Sequence, residues 1–348
     1  MRSLRPKRGR AAGVVFSSVA AVLTLVACAS LLPGSQGGDR ADVSGYKVIR
    51  EIPLPGDTSR WDYQTYDPTT HRLYIAHLGQ SQVIAFDTKA QRVIGVVDHV
   101  SSVHGLAVAP DRQRLYASAT GSDQLAVIDT STLKVIASVA AGSYPDGIAY
   151  VPDAAKIFIS DQHGSGDTVI DARSNQRITD IELGGDIGNS QFDPASGLVY
   201  VAVGSNNQLA AIDPQTNGVV GRYGLPGCQG AHGLQVDNPA AHRIFVACEG
   251  NSTMAVFDLQ AKRVAAVFPV GDGPDVLALD PTLARLFVAA ENGQLAVFNT
   301  GAEEVRKIGQ GNGGPNAHSV AVDPETHVVY LPLADLGGHP VLRELQPR

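Results

Sequence analysis

Short apolar runs separated by turn residues fill the chain from residue 46 to its end. Between residues 104 and 139 the runs are HGLAVAP, RLYASA, QLAVID and KVIASV, with turn formers such as Asp111-Arg112 and Gly121-Ser122 between them. Runs of about six residues that are rich in Val, Ile and aromatic side chains are typical of β-strands. Four such runs in succession predict a four-stranded antiparallel meander.

The meander recurs seven times along the chain. A Pro that ends a hydrophobic turn recurs with spacings of 42, 42, 42, 45, 42 and 43 residues, at Pro68, Pro110, Pro152, Pro194, Pro239, Pro281 and Pro324. An aromatic residue in the following strand repeats the same six spacings, at Tyr74, Tyr116, Phe158, Tyr200, Phe245, Phe287 and Tyr330. Repeats of about 40 residues with four strands each are typical of propeller blades. We therefore predict an all-β, seven-bladed β-propeller over residues 46–348.

The two ends of the chain are predicted to share one blade. The last repeat offers only three runs, HSVAVDP, HVVYLPL and PVLRELQP, before the chain stops. The run YKVIREIPL at residues 46–54 precedes the first repeat and supplies the missing fourth strand. This pairing closes the ring without a covalent bond and removes an open sheet edge.

The repeat segments WDYQTYDPTTHRLYIAH, VHGLAVAPDRQRLY, PDGIAYVP and DPETHVVYLPLAD resemble those of the YVTN-repeat, YncE-like bacterial periplasmic β-propellers. The resemblance covers essentially the whole chain after its leader. It implies the propeller fold and leaves the function open, since such propellers serve varied roles. A WD40 protein is disfavoured, because the single Trp-Asp pair, Trp61-Asp62, precedes a first strand instead of ending a third.

The N-terminus has the layout of a secretory signal. Five basic residues fall within residues 1–10, and residues 11–32 carry no charge. The sequence Leu25-Val26-Ala27-Cys28 resembles the lipobox of bacterial lipoproteins, in which the Cys is acylated; ordinary cleavage nearby and retention as a membrane anchor are the alternatives. We therefore expect a signal peptide at 1–27, a flexible tether at 28–45, and an exported protein in the periplasm or cell envelope, held to the membrane by a lipid at Cys28.

Charge and cysteine content narrow the possible partners. Without residues 1–27 the chain keeps 22 Lys and Arg against 34 Asp and Glu, a net charge of −12. Such a surface repels phosphate backbones, so binding to nucleic acid is unlikely on electrostatic grounds. Cys228 and Cys248 are the two remaining cysteines, and in an oxidising compartment they predict a disulfide; a copper-binding or redox-active thiol pair is the alternative.

The repeat also predicts where chemistry is concentrated. In a propeller the equivalent positions at the start of each innermost strand surround the central channel. Six residues before each blade's Pro, or at the matching site of the longer fifth blade, stand three His and three Asp with one Gly: Asp62, His104, Asp146, Gly188, His232, Asp275 and His318. Imidazole and carboxylate ligands suit Zn, Fe, Mn or Cu. The same residues are also ordinary choices for turns and for the lining of a wet channel.

Further polar or aromatic residues are expected on the same face, because second strands end there. This secondary rim comprises Trp61, His77, Asp161, His163, Glu249, Glu291, Asp335 and His339. Trp61 is expected either to stack on a ligand or to wedge between blades. No GxSxG elbow is present, and the GxGxxG match at residues 309–314 enters a strand and not a helix.

Two functions follow as hypotheses. The first is a cell-envelope protein that binds a metal ion, a small-molecule ligand or an envelope protein through the His/Asp-lined face. The second is a metal-dependent hydrolase or lyase that uses the same residues.

Overall fold

The computed structural model describes residues 41–301 and 304–348 and confirms a seven-bladed β-propeller. The predicted signal peptide, Cys28 and most of the predicted tether lie outside the described residues. No helix within the described ranges is long and apolar enough to cross a membrane.

Each blade is an antiparallel sheet whose strands follow one another outward from the central channel. Two strands precede the first blade, β1 (Asp42–Val43) and β2 (Tyr46–Pro53). Blades one to three contain β3 (Gln64–Asp67), β4 (Arg72–His77), β5 (Gln82–Asp87), β6 (Arg92–Val97), β7 (Val103–Ala109), β8 (Arg114–Ala119), β9 (Gln124–Asp129), β10 (Lys134–Ala140), β11 (Pro145–Val151), β12 (Lys156–Asp161), β13 (Gly166–Asp171) and β14 (Gln176–Glu182). Blades four and five contain β15 (Ile187–Asp193), β16 (Leu198–Val203), β17 (Gln208–Asp213), β18 (Gly218–Gly224), β19 (Ala231–Val236), β20 (Arg243–Cys248), β21 (Thr253–Asp258) and β22 (Arg263–Pro269). Blades six and seven contain β23 (Pro274–Asp280), β24 (Arg285–Ala290), β25 (Gln294–Asn299), β26 (Arg306–Asn312), β27 (Ala321–Asp323), β28 (Val328–Leu333) and β29 (Val341–Pro347).

Short turns join the strands. Five of them in the described part of the chain are single turns of 3-10 helix, at Leu78–Gln80, Pro110–Arg112, Thr120–Ser122, Pro239–Ala241 and Glu249–Asn251. An Asp at the end of the third strand fixes the next turn by accepting backbone N–H bonds; Asp171 accepts from Arg173 and Ser174, both at 2.8 Å. This is the Asx-turn chemistry that makes Asp a recurrent strand terminator.

The ring closes as the sequence predicted. Strand β2 pairs antiparallel with β29, from Tyr46 opposite Pro347 to Pro53 opposite Val341. Strand β1 was not anticipated: it pairs with β26 and gives blade six a fifth strand, although residues 42–43 fall within the segment assigned to the tether.

The core consists of wedges between neighbouring blades. The described residues form seven hydrophobic clusters, one at each blade-to-blade interface. The repeated aromatic of each second strand lies in these clusters and is at most 4% exposed. Because both faces of every middle strand are covered, the blades cannot separate without exposing apolar surface. This packing fixes the innermost strands around the channel.

Candidate functional site

Local irregularities aim the ring residues into the channel. In blades two to six the pairing of the innermost strand with the second strand shifts register at the ring position. Such β-bulges bend a strand and redirect a side chain. In blades one and seven, Asp62 and His318 lie in the segments just before β3 and β27. A β-bulge is therefore present at five of the seven ring positions.

Glycine lets neighbouring innermost strands approach closely. A Cβ on Gly233 would lie 1.8 Å from the carbonyl oxygen of Asp275, and one on Gly188 would lie 2.6 Å from the Cα of His232. No side chain fits at either position, which explains the gap in the ring at Gly188. Gly233 therefore lies within a strand, where it lets blades five and six approach each other, and not in a turn.

The structure brings the six predicted ring residues into one connected set, named here the His/Asp cluster: Asp62, His104, Asp146, His232, Asp275 and His318. His104 Nε2 lies 3.8 Å from Asp62 Oδ2, and His232 Nε2 lies 3.5 Å from Asp146 Oδ2 and 3.8 Å from Asp275 Oδ1. One ligand atom each of Asp62, Asp275 and His318 lies within 4.8 Å of the others, and we name these three the first ligand group.

Buried polar atoms of the first ligand group lack partners. Asp62 and His318 are 2% and 1% exposed. Asp62 Oδ1 and His318 Nε2 accept and donate no hydrogen bond within the described residues. A buried polar atom without a partner costs on the order of 1–3 kcal/mol, so such atoms usually mark a missing ligand, water or ion.

Backbone carbonyls orient two of the imidazoles. His318 Nδ1 lies 3.1 Å from the carbonyl oxygen of Asn316, and His104 Nδ1 lies 2.9 Å from that of Ser102. A carbonyl can only accept, so Nδ1 of each ring carries a proton, and Nε2 is the nitrogen left to ligate a metal ion. This is the arrangement that metal-binding histidines generally show.

A second set of ligand atoms shares Asp275. His232, Glu249 and Asp275 each place one ligand atom within 4.8 Å of the others, and we name them the second ligand group. Burial lowers the pKa of His232, but the carboxylates of Asp146, Glu249 and Asp275 outweigh that effect and raise the pKa to about 10. Without a bound cation, the protonated imidazole of His232 therefore offsets part of the negative charge of these carboxylates.

The carboxylates repel one another. Burial raises the pKa of Asp62 well above its ordinary value, and the charges of Asp275 and Asp146 raise it further, while Arg60 opposes them. Burial also raises the pKa of Glu249, and Asp275 and Asp146 again add to the effect. Carboxyl groups whose pKa values are shifted by burial and by neighbouring charges are a feature of functional centres.

Arg60 and Glu291 border the first ligand group. Arg60 Nη2 donates to Glu291 Oε1 at 2.7 Å, and Arg60 Nε lies 3.8 Å from Asp62 Oδ2. Asn316 Nδ2 donates to Glu291 Oε2 at 2.9 Å. The side chains of Arg60 and Glu291 are about 40% exposed, so this edge of the site meets solvent.

Tyr63, from blade one, forms hydrogen bonds with residues of two other blades. Its Oη donates to Asp275 Oδ1 at 2.9 Å and accepts from Asn189 Nδ2. Tyr63 also lines a cavity of about 610 Å³. The lining includes Asn189 and Asp275 together with apolar residues of the innermost strands such as Leu277. Tyr63 thus connects this cavity with the His/Asp cluster.

Some residues of the secondary rim lie at the cluster, and the others have structural roles. Glu249 and Glu291 contact the cluster, and the ring of His163 packs 4.5 Å from that of Tyr144, whose Oη lies 3.3 Å from His104 Nε2. Within the described part of the chain, five rim residues form no side-chain hydrogen bond or ion pair with the cluster: Trp61, His77, Asp161, Asp335 and His339.

These remaining residues have other tasks. Trp61 stacks on His77, with ring centroids 3.9 Å apart, and packs between blades one and seven. Trp61 therefore takes the wedge role of its two predicted alternatives. Asp161 accepts hydrogen bonds from Gly142 N and Thr168 Oγ1. Asp335 and His339 are exposed in the turn between β28 and β29.

The predicted disulfide is present. Cys228 and Cys248 are bonded, with a Cα–Cα distance of 5.3 Å. The bond ties the segment that leads to His232 to the end of β20, immediately before Glu249. It thereby holds two members of the second ligand group, and the alternative of a free thiol pair does not apply in this structure.

Sequence reasoning missed five residues that shape the site. They occupy the positions two before or one after the ring position in single blades: Arg60, Tyr144, Asn316, Tyr63 and Asn189. Aligning those columns reveals them as large polar outliers among small residues such as Gly105, Gly147 and Gly230. The signal was therefore present two positions before and one position after the ring.

Comparisons with known proteins establish the fold alone. No protein-family model matches the chain, and no curated protein sequence is significantly similar to it. Among solved structures, hydrazine synthase of Kuenenia stuttgartiensis matches with a TM-score of 0.69 and 20% identity, over 83% of this chain and 96% of that one. Virginiamycin B lyase of Staphylococcus aureus matches with a TM-score of 0.71 and 11% identity, over 87% and 100%. The WD40 repeats of RRP9 match with a TM-score of 0.74 and 9% identity, over 88% and 100%.

Proposed function

We propose that this protein binds a divalent transition-metal cation in the first ligand group. The observation that carries the proposal is the pair of buried atoms without a hydrogen-bond partner among the described residues, Asp62 Oδ1 and His318 Nε2, in a group that also contains Asp275. A cation between these atoms satisfies both of them and offsets the mutual repulsion of the carboxylates.

The ligand types indicate which ions fit. The group offers one imidazole and two carboxylates, a set that suits Zn, Fe, Mn or Cu better than Ca or Mg, which prefer oxygen alone. His104 stands beside Asp62 and can add a second imidazole after a small movement of its side chain. Three protein ligands leave coordination positions open for water, a small-molecule ligand or a side chain of a partner protein.

The proposed setting is the cell envelope. The signal-like N-terminus, the lipobox-like sequence at 25–28 and the resemblance to YVTN-repeat propellers support export. The disulfide between Cys228 and Cys248 is consistent with an oxidising compartment. In this proposal the protein is a rigid, membrane-anchored binding protein whose cluster-bearing face receives an ion together with a small molecule or an envelope protein.

Metal analysis of the purified full-length protein tests the proposal. After dialysis against Zn²⁺ and removal of free metal, the wild type is expected to retain stoichiometric zinc, and Asp62→Asn/His318→Gln is expected to lose at least 90% of the metal in the first ligand group. Asp335→Asn/His339→Gln is the matched control, because it removes the same two residue types from an exposed turn. Retention of no zinc, manganese, iron or copper by the wild type overturns the proposal.

A metal-dependent hydrolase or lyase is the second candidate. It is favoured by the Tyr144 hydroxyl 3.3 Å from His104 Nε2, because this pair can supply a proton beside an ion with open positions. The fold is also shared with a protein named a lyase. Screening lactone, ester and polysaccharide substrates with metal-loaded wild type and Tyr144→Phe tests this function. Turnover that falls at least 100-fold in Tyr144→Phe, with metal content unchanged, supports it.

A further inference from the structure

We propose that the site holds two divalent cations, with the carboxylate of Asp275 bridging them. The first ion lies in the first ligand group and the second ion lies in the second ligand group. This inference rests on the proposed function, because it requires the first ion to bind.

Asp275 is the residue that both ligand groups share. Asp62 and His318 complete one group, and His232 and Glu249 complete the other. A carboxylate has two oxygens and can therefore contact one ion with each, a geometry that places the ions about 3.5–4 Å apart in known two-metal sites. Tyr63 Oη donates to Asp275 Oδ1 and so orients the carboxylate that would bridge the two ions.

The charge of the site calls for more than one dication. Five carboxylates meet here, those of Asp62, Asp146, Asp275, Glu249 and Glu291, together with the guanidinium of Arg60. With every carboxylate ionised and the imidazoles neutral, as metal binding requires, these groups carry a net charge of −4. Two dications cancel that charge, whereas one leaves an excess of negative charge beside the buried carboxylates of Asp62, Asp146 and Asp275, which is costly.

A buried, unpartnered atom also marks the second position. Asp146 is 3% exposed, and its Oδ1 makes no hydrogen bond within residues 41–301 and 304–348. Its other oxygen lies 3.5 Å from His232 Nε2. Beside an ion in the second ligand group, Asp146 would serve as a further ligand or would hold a water on that ion.

Stoichiometry measured on the full-length protein tests the bridge. Calorimetric titration with Zn²⁺ should give two equivalents for the wild type and for Asp335→Asn/His339→Gln. Glu249→Gln, whose side chain is 45% exposed and therefore tolerant of change, should give one equivalent, and so should His318→Gln. Asp275→Asn should weaken both ions at least 10-fold.

Electron paramagnetic resonance with Mn²⁺ provides a second readout. The wild type at two equivalents should show the exchange-coupled spectrum of a close pair, and Glu249→Gln should show the spectrum of an isolated ion. A wild type that binds one equivalent, with Glu249→Gln unchanged, overturns the second ion and leaves the proposed function standing. Two equivalents without magnetic coupling overturn the bridge, and no bound metal overturns the proposed function itself.

Discussion

The hydroxyl of Tyr63, from blade one, donates a hydrogen bond of 2.9 Å to the carboxylate of Asp275, from blade six. The two residues are 212 positions apart in sequence, and the bond spans the central channel. Both residues line the cavity, and Asp275 also belongs to the His/Asp cluster, so the bond lies where the cavity and the cluster meet.

Removal of this hydroxyl should weaken metal binding without unfolding the protein. Hydrogen bonds that orient a metal ligand typically contribute 10- to 100-fold to affinity, so Tyr63→Phe is expected to raise the Kd for Zn²⁺ at least 10-fold. The aromatic ring remains, and the loss of stability should be about 1 kcal/mol. Calorimetric titration and urea unfolding check the two effects; an unchanged Kd would show that Asp275 needs no support from Tyr63.

Loss of the disulfide should affect stability and the second ligand group together. Cys228 and Cys248 are 20 positions apart, and closing a loop of that length contributes roughly 3 kcal/mol. Cys228→Ser/Cys248→Ser should therefore unfold at lower urea concentration and bind the second equivalent of Zn²⁺ more weakly. The first equivalent should be retained, since Asp62 and His318 are on blades one and seven. Equal stability of variant and wild type would contradict the stabilising role.

The repeat alone predicts much of this fold, because two independent periodic markers fix the number and order of blades. It also places the six ring residues, since equivalent positions must surround the axis. It does not predict which of them share a ligand group, because that depends on channel width and on glycine contacts such as those of Gly188 and Gly233. Arg60 and Tyr63 were missed for another reason: each occurs in one blade only, so it does not recur with the repeat and stands out only when the neighbouring columns are aligned. Strand β1 is only two residues long and leaves no pattern.

Two buried carboxylates of blade three should make stability depend on pH. Burial raises the pKa of Asp167 to about 7 and that of Asp161 to about 6, against 3.8 for the free side chain, while Ser190, Thr168 and the N–H of Gly142 partly oppose the shift. A raised pKa in the folded state means that the protonated form is preferred there. Stability is therefore greatest at or below about pH 4 with respect to these groups, and is lost as the pH rises through 6 and 7.

Asp167→Asn should remove most of that dependence. The variant keeps the size of the side chain and carries no charge, so it should be more stable than the wild type at pH 8, by on the order of a few kcal/mol, and about equal to it at pH 4. Asp153→Asn, at an exposed position, is the control and should change neither value. Urea unfolding at both pH values decides; a wild type that is more stable at pH 8 than the Asp167 variant contradicts the assignment.

Closure of the ring by β2 should be essential for cooperative unfolding. Deleting residues 46–55 removes the partner of β29 and the contact of Glu51 with the buried Arg343, whose Nη2 lies 2.6 Å from Glu51 Oε1. Blade seven then keeps three strands and an open edge, and the cooperative thermal transition should collapse. Glu51→Gln keeps the strand and a side-chain oxygen that can accept from Arg343, so this variant should retain one cooperative thermal transition. Calorimetry that gives the same transition for deletion and wild type would refute the closure.

Anomalous X-ray diffraction at the zinc edge, from crystals of the zinc-loaded protein, would show whether an ion binds between Asp62, Asp275 and His318. A strong peak should lie within about 2.0–2.2 Å of His318 Nε2 and a carboxylate oxygen of Asp62, with a second peak toward Glu249 and His232. Zinc found only on exposed side chains, with no anomalous density between Asp62, Asp275 and His318, would contradict it.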